Sequence, residues 1–139
     1  MRKIIFWICF TVVTTGNALA ADDVSYEAVT LAKSSNSWDG SSLPEYPKGT
    51  PEIAVLKITI APGAQLPLHK HTAISVGAML SGELTVVTEK NEVLHLKPGE
   101  ALIEVVNKWH YGKNEGDIPV EILVFYASSL NAPLTVNKQ

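Results

Sequence analysis

Residues 74–106 have the sequence ISVGAMLSGELTVVTEKNEVLHLKPGEALIEVV. Short apolar runs rich in β-branched residues alternate here with turns that are polar or contain Gly and Pro, which is the pattern of consecutive β-strands. The predicted strands cover residues 74–80, 83–88, 93–96 and 101–106.

The same pattern continues on both sides of this stretch. Residues 52–60 are β-branched and partly alternating, residues 109–112 form a short strand, and residues 119–127 form the last strong one. No segment has sustained helical periodicity, and neither an internal repeat nor a linker indicates a second domain. The sequence therefore predicts one all-β domain, a sandwich or barrel.

The N-terminus has the layout of a secretory signal peptide. Arg2 and Lys3 precede an apolar run over residues 4–13, which is too short to span a membrane, and Ala18-Leu19-Ala20 matches a signal-peptidase site. We expect cleavage after Ala20, a periplasmic or secreted protein, and no membrane association after cleavage. The alternative is an uncleaved N-terminal anchor.

The expected mature chain, residues 21–139, excludes several classes of partner. It contains no cysteine and no arginine, and its nine lysines against fourteen acidic residues give a net charge of −5. Nucleic acid is therefore not an expected partner, because phosphate backbones need concentrated positive charge. A small anionic ligand would depend on a metal, a lysine or backbone N–H groups.

Residues 21–51 precede the main run of strands. Residues 21–33 are predicted to form an edge strand, and residues 34–51 are rich in Ser, Gly and Pro, which predicts an irregular loop. Trp38 and Tyr46 argue against simple disorder. We therefore hypothesise that this loop packs over the mouth of the barrel.

Three histidines form the candidate metal site. His69 and His71 are two residues apart and, in a strand, point to the same face. His110 follows thirty-nine residues after His71, beyond another Pro-Gly turn and strand, so it can return to the same cavity. By spacing alone, His69 and His71 also fit a solvated surface pair. Three histidine ligands would leave coordination positions open for water or substrate.

The chain resembles a single-domain cupin over residues 52–127. The first cupin motif is matched by Gly63, His69, His71 and Gly82, with Ser75 at the position of the motif glutamate. The second motif keeps Gly99, His110 and Asn114 but has Val105 and Asn107 where the family usually shows Pro and Gly. The resemblance implies a double-stranded β-helix, or jelly-roll, barrel. It also implies that His69, His71 and His110 bind one divalent metal ion, Fe, Mn, Zn, Ni or Cu, and that residues 128–139 are a C-terminal tail.

The motif glutamate, a fourth ligand in the family, is replaced by Ser75. Three neutral imidazoles would leave the metal site with a net charge near +2, which favours an anionic fourth ligand such as hydroxide or a substrate carboxylate. The alternative is that Ser75 marks a site that has lost its metal.

Glu104 is the candidate catalytic residue. If its side chain points inward, it can replace the lost carboxylate or act as a general base. We expect the outward, solvated position instead, because acids are seldom buried unpaired.

His95 is expected to be exposed, and Lys70 is expected to point away from the metal. Trp109, Tyr111 and Tyr126 either line a pocket or fill the core.

These features predict a metalloenzyme that acts on a small molecule as a dioxygenase, an isomerase or a lyase. The alternatives are a binding module without catalysis and a structural barrel with a vestigial site. The resemblance and the need to cover sheet edges also predict a homodimer, in which residues 21–51 would cross to the partner.

Overall fold

A computed structural model describes residues 25–139 and contains two antiparallel sheets with no helix in that range. The predicted signal peptide over residues 1–20 lies outside the described residues. No helix within residues 25–139 is long and apolar enough to cross a membrane. The nine strands are β1 (Pro51–Ile60), β2 (His69–His71), β3 (Ile74–Ser81), β4 (Leu84–Thr88), β5 (Val93–Leu96), β6 (Ala101–Ile103), β7 (His110–Lys113), β8 (Val120–Ser129) and β9 (Thr135–Asn137).

The two sheets form the layers of a jelly-roll barrel. The four-stranded sheet has the order β1-β8-β3-β6, and the five-stranded sheet has the order β5-β4-β7-β2-β9. Strand β8 is central to the first sheet and pairs with β1 over ten residues and with β3 beside it. The predicted all-β, single-domain, double-stranded β-helix architecture is confirmed.

Alternation along the strands produces the core. Along β8, the even-numbered residues are buried and face the other sheet, whereas the odd-numbered ones are partly or largely exposed. Burying apolar side chains from both sheets in this way supplies the main favourable term for folding. The buried cluster contains Ile60, Met79, Leu84, Val86, Leu96, Leu102, Val120, Ile122, Val124 and Tyr126.

The N-terminal segment differs from its prediction. Residues 25–33 contain no strand and are exposed, so the edge strand expected over residues 21–33 is absent from its described part. Their β-branched residues favour extended backbone, but a strand also needs a neighbouring edge to supply hydrogen bonds, and none pairs with them. None of residues 34–51 lines the cavity that the histidines border. Part of this segment packs along the outer edge of β6, where the Trp38 backbone N–H donates to the Ile103 carbonyl at 2.9 Å.

The last residues belong to the barrel. Strand β9 lies within the segment expected to be a tail and pairs with β2, placing Thr135 opposite His71 and Asn137 opposite His69. The predicted strand over residues 101–106 is shorter in the structure and ends at Ile103, immediately before Glu104.

Candidate metal centre

Strands β2 and β7 bring the three histidines together. His69 and His71 flank Lys70 on β2, and both are buried while Lys70 is only half-buried. His69 lies directly opposite His110 in the pairing of β2 with β7. The ring centroids are 4.5 to 5.1 Å apart, and one nitrogen from each ring lies within 4.8 Å of the others.

Hydrogen bonds on the far side of the rings determine which nitrogen faces the cavity. His69 Nδ1 lies 2.7 Å from the Pro67 carbonyl and His110 Nδ1 lies 3.0 Å from the Lys108 carbonyl. A carbonyl oxygen only accepts, so both Nδ1 atoms carry the proton and both Nε2 atoms keep a free lone pair. Such backbone partners orient histidine ligands in metal sites.

His71 has a side-chain partner instead. Its Nδ1 lies 3.2 Å from Thr135 Oγ1 on β9 and 3.5 Å from the Tyr126 hydroxyl. Its Nε2 therefore faces the cavity like those of the other two histidines. Sequence reasoning missed Thr135, because a threonine in a short C-terminal segment carries no motif.

Burial keeps the imidazoles of His71 and His110 neutral. Desolvation, reinforced by the nearby histidines, lowers the pKa of His71 to about 3. Desolvation likewise lowers the pKa of His110 to about 4, although its hydrogen bond to the Lys108 carbonyl acts in the opposite direction. Neutral imidazoles are the form that binds metals, so these two side chains need lose no proton on binding at neutral pH.

Glu104 points inward, so the expectation of a solvated side chain is wrong. The residue is 6% exposed. Its Oε1 lies 4.0 Å from His71 Nε2, and its Oε2 lies 3.8 Å from His110 Nε2. With both imidazoles neutral, these contacts are not ion pairs. Among the described residues, Oε2 has no hydrogen-bond partner, and burial raises the pKa of Glu104 to about 7.

Ser75 lies beside Glu104 on the neighbouring strand. The Glu104 N–H donates to the Ser75 carbonyl at 2.9 Å, and Ser75 also pairs with Tyr126 on β8. These three buried side chains form one row across the inner face of the four-stranded sheet, opposite the histidines on the five-stranded sheet. Ser75 Oγ also lacks a partner among the described residues. A buried carboxyl group, that of Glu104, therefore lies one strand away from Ser75.

The cavity beside these groups is small and mostly apolar. Its volume is about 40 Å³, which is room for only a few water-sized molecules, and no lysine lines it. The lining residues are Ile58, Ile60, Leu66, His69, His71, Leu84, Val86, Glu104, His110, Gly112, Ile122, Val124 and Tyr126. A small, mostly apolar site of this kind has a low dielectric constant, which strengthens electrostatic interactions within it.

The remaining candidates lie away from this cavity. Lys70 points outward, with its ammonium 5.0 Å from the centre of the Trp109 ring, as strand alternation predicts. His95 is exposed, as expected, and contacts Thr85 Oγ1 at 3.1 Å. Of the three aromatic candidates, only Tyr126 lines the cavity; Trp109 and Tyr111 do not.

The donor set fits a divalent transition metal. Three imidazole Nε2 atoms converge from two strands, and a buried carboxylate oxygen without a hydrogen-bond partner among the described residues lies near them. Three histidines and one carboxylate suit Fe, Mn, Zn, Ni or Cu better than Ca or Mg, which prefer oxygen ligands.

Comparison with protein families agrees with this architecture. The family model for the cupin domain matches residues 56–126, about half of the chain. The chain belongs to the cupin family. No curated protein matches its sequence.

Solved structures share the fold at low sequence identity. DMSP lyase DddQ from Ruegeria pomeroyi DSS-3 is 23% identical with a TM-score of 0.55, and the match covers 62% of this chain and 43% of the lyase. A conserved protein with a double-stranded β-helix domain from Klebsiella pneumoniae is 24% identical with a TM-score of 0.54, covering 67% of this chain and 85% of that one.

An oxalate decarboxylase from Lactobacillus farciminis is 19% identical with a TM-score of 0.53, covering 61% of this chain and 26% of the decarboxylase. The chain thus spans less than half the length of the lyase and of the decarboxylase.

Proposed function

We propose that this protein is a metal-dependent cupin enzyme that abstracts a proton from a small molecule, in a lyase or isomerase reaction. In this proposal His69, His71 and His110 hold one divalent metal ion, and Glu104 supplies the carboxylate that Ser75 does not. The observation that carries the proposal is the inward position of Glu104, whose two carboxylate oxygens lie 3.8 and 4.0 Å from two histidine nitrogens.

Glu104 changes the charge expected for the site. With three neutral imidazoles alone, a divalent ion would keep a net charge near +2, whereas an ionised Glu104 reduces it to near +1. A bound cation would in turn favour the ionised form of Glu104 and lower its pKa from about 7. This arrangement argues against the alternative in which Ser75 marks a decayed site.

The metal would act as a Lewis acid that polarises an oxygen atom of the substrate. Glu104 would accept the proton, because the nearby cation keeps its carboxylate ionised, which is the form that acts as a general base. Backbone carbonyls hold His69 and His110 in the tautomer that exposes Nε2. The apolar walls would exclude water from the reacting atoms.

The cavity limits the substrate to a compact reacting group. About 40 Å³ does not hold a sugar ring, so any larger part of a substrate must remain outside the cavity. Similar structures include a DMSP lyase, an oxalate oxidase and oxalate decarboxylases. Because these likenesses show the fold alone, dimethylsulfoniopropionate and oxalate are first test compounds rather than assigned substrates.

The decisive experiment is elemental analysis of the untagged mature protein, with a His69→Ala/His71→Ala variant as control. We expect close to one metal ion per chain, lost in the control. Zinc or manganese would agree with proton-transfer chemistry, whereas iron would favour the dioxygenase alternative. Absence of metal after reconstitution would refute the proposal and favour a structural barrel.

Activity separates the enzyme from a binding module. Turnover of any test compound should be abolished by Glu104→Gln while metal remains bound. A compound that binds the loaded protein without turnover, and binds the Glu104→Gln variant equally well, would favour the non-catalytic module.

Secretion and dimerisation are part of the proposal. N-terminal sequencing of the protein from the periplasm should begin at Ala21 if the signal peptide is cleaved.

The outer face of the four-stranded sheet supports a homodimer, because Val55, Phe125, Val76 and Ile103 form an apolar row across all four strands. Val55 and Phe125 are 54% and 42% exposed, so a second copy packed there would remove apolar surface from water.

A further inference from the structure

Residues 35–43, named here the Ser37 loop, form a compact hairpin-like turn before β1. The Leu43 N–H donates to the Ser35 carbonyl at 2.9 Å, and the Ser37 N–H donates to the Ser41 carbonyl at 2.8 Å. The Asp39 carboxylate accepts bonds from the Ser41 N–H at 2.9 Å and from the Ser41 hydroxyl at 2.5 Å. These internal bonds give the loop a defined shape.

The loop closes the free edge of β6, the end strand of its sheet. The Trp38 backbone N–H donates to the Ile103 carbonyl at 2.9 Å, and the Ser37 hydroxyl donates to the Glu104 carbonyl at 2.8 Å. Ser37 is 5% exposed, so its hydrogen bond is shielded from water. On the other side, the Glu104 N–H is bonded to the Ser75 carbonyl. The backbone of Glu104 is therefore held both by β3 and by the loop.

The same loop reaches a second part of the site. Asp39 forms an ion pair with Lys108, whose backbone carbonyl orients the His110 ring at 3.0 Å. Burial acts to raise the pKa of Asp39, but hydrogen bonds from Lys108 and Ser41 outweigh it and lower the pKa to about 2. The ion pair therefore persists across the neutral range.

The inward position of Glu104 needs such a restraint. Its Oε2 is buried without a hydrogen-bond partner among the described residues, and an uncompensated buried carboxyl group is costly. Strand β6 ends at Ile103, and the next backbone pairing lies two and three residues beyond Glu104, where Val106 bridges to His71 and the Asn107 N–H donates to the His71 carbonyl at 2.8 Å. Between these two points, the Ser37 hydroxyl is the hydrogen-bond donor to the Glu104 carbonyl, and its loss would let this peptide group rotate and shift the carboxylate.

We propose that Ser37 is a positioning residue, which holds the Glu104 carboxylate against the histidines through the buried hydrogen bond to the Glu104 backbone. The Ser37 loop thereby sets the metal affinity of a site that none of its own side chains lines. This inference rests on the proposed metal site.

The test measures Co²⁺ binding to the metal-free full mature chain by isothermal titration and by the absorption spectrum of the bound ion. Ser37→Ala should weaken Co²⁺ binding roughly ten-fold or more and change the spectrum, because partners outside the ligand set are typically worth 10 to 100-fold in affinity. Ser37→Thr keeps the hydroxyl and should restore binding. Ser81→Ala is the matched control, since its hydroxyl bonds the Pro119 carbonyl at 3.4 Å and has no part in the site.

A double-mutant cycle separates positioning from general destabilisation. If Ser37 acts through Glu104, Ser37→Ala should have no further effect on Co²⁺ affinity in the Glu104→Gln background. An equal loss in both backgrounds would overturn the inference, as would wild-type affinity and spectrum in Ser37→Ala. Should Ser37→Ala fail to fold, Asp39→Asn tests the loop by its other contact. It should also weaken Co²⁺ binding, and unchanged affinity in that variant would overturn the role of the loop.

Co²⁺ binding by the wild type shows whether the proposed metal site or only the role of the Ser37 loop has failed. If the wild-type protein itself binds no Co²⁺, the proposed metal site fails and the inference fails with it. If the wild type binds Co²⁺ and Ser37→Ala binds it equally well, only the inference about the loop fails.

Discussion

Replacing Glu104 by glutamine should make the metal-free protein less sensitive to alkaline pH. Glutamine has nearly the same shape as glutamate but cannot ionise. In the folded chain, burial raises the pKa of Glu104 from an ordinary value of 4.5 to about 7. The unfolded chain therefore releases this proton at a lower pH than the folded chain does.

The sign and size of the effect follow from linkage. Because the folded-state pKa is raised, the contribution of Glu104 to stability is fully present below pH 4.5 and is lost as the pH rises through about 7. With about 1.36 kcal/mol for each pKa unit, the full loss is about 3 kcal/mol, of which about 2.5 kcal/mol falls between pH 5 and pH 8. The lowered pKa values of His71 and His110 act in the opposite direction, since their contribution is lost as the pH falls below about 6.5. Both histidines are present in the wild type and in Glu104→Gln, so their contributions cancel when the two proteins are compared.

The assay is urea unfolding at pH 5 and pH 8 in the presence of a chelator, followed by tryptophan fluorescence. Glu104→Gln should gain about 2.5 kcal/mol relative to the wild type on going from pH 5 to pH 8. Glu121→Gln is the control, because Glu121 forms a partly exposed ion pair with Lys57 at 2.7 Å and should show no such gain. Parallel stability curves for the wild type and Glu104→Gln would refute the inward, uncompensated position of Glu104.

Bound metal should reverse the order of stability of the wild type and Glu104→Gln at pH 8. In the loaded protein the cation favours ionised Glu104, so the wild type should be more stable than Glu104→Gln at pH 8. Melting temperatures measured with saturating Zn²⁺ or Mn²⁺ test this, and a variant that stays more stable with metal bound would exclude Glu104 from the metal's surroundings.

Three further predictions concern the fold and assembly. Gly82→Ala should lower the free energy of unfolding by about 2 kcal/mol or more, because Gly82 has a φ of +72° and an added Cβ would lie 2.8 Å from the Pro119 carbonyl oxygen. Gly99→Ala should lower it by only about 1 kcal/mol, because Gly99 has a φ of +84° but open space around it. Equal losses for the two variants in urea unfolding would contradict this account. Asn114→Ala should lower the free energy of unfolding by about 3 kcal/mol, because the buried side-chain amide donates two hydrogen bonds and accepts a third. The Co²⁺ affinity of the protein that remains folded should stay unchanged. Phe125→Lys should convert a dimer into a monomer by light scattering, and a monomeric wild type would remove the dimer proposal.

Much of the fold follows from local sequence. Alternating β-branched residues and Gly- or Pro-containing turns placed seven of the nine strands close to their positions in the structure. The two that were missed, β2 and β9, are three residues long, and the periodicity of such short runs carries little information. The edge strand expected in residues 21–33 was wrong in its described part, because strand propensity has no consequence without a neighbouring edge.

The site was predictable to different degrees. The convergence of the three histidines followed from strand alternation and motif spacing, and the structure brings them together. The orientation of Glu104 was predicted wrongly, because the general rarity of buried acids was applied to a residue whose neighbours were unknown. The alternation of β6 alone did not decide the question, since either face of that strand was compatible with the sequence.

The sequence by itself determined the succession of seven strands, the two-residue spacing of His69 and His71, and the presence of Ser75 at the position of the motif glutamate. Only the tertiary structure decided that the Glu104 carboxyl group lies beside the histidines, that Thr135 contacts His71, and that Ser37 bonds the Glu104 backbone. The last two contacts join residues 64 and 67 positions apart. The physical reason is that local propensities act over a few residues, whereas the position of a buried polar group depends on which distant segments supply its hydrogen bonds.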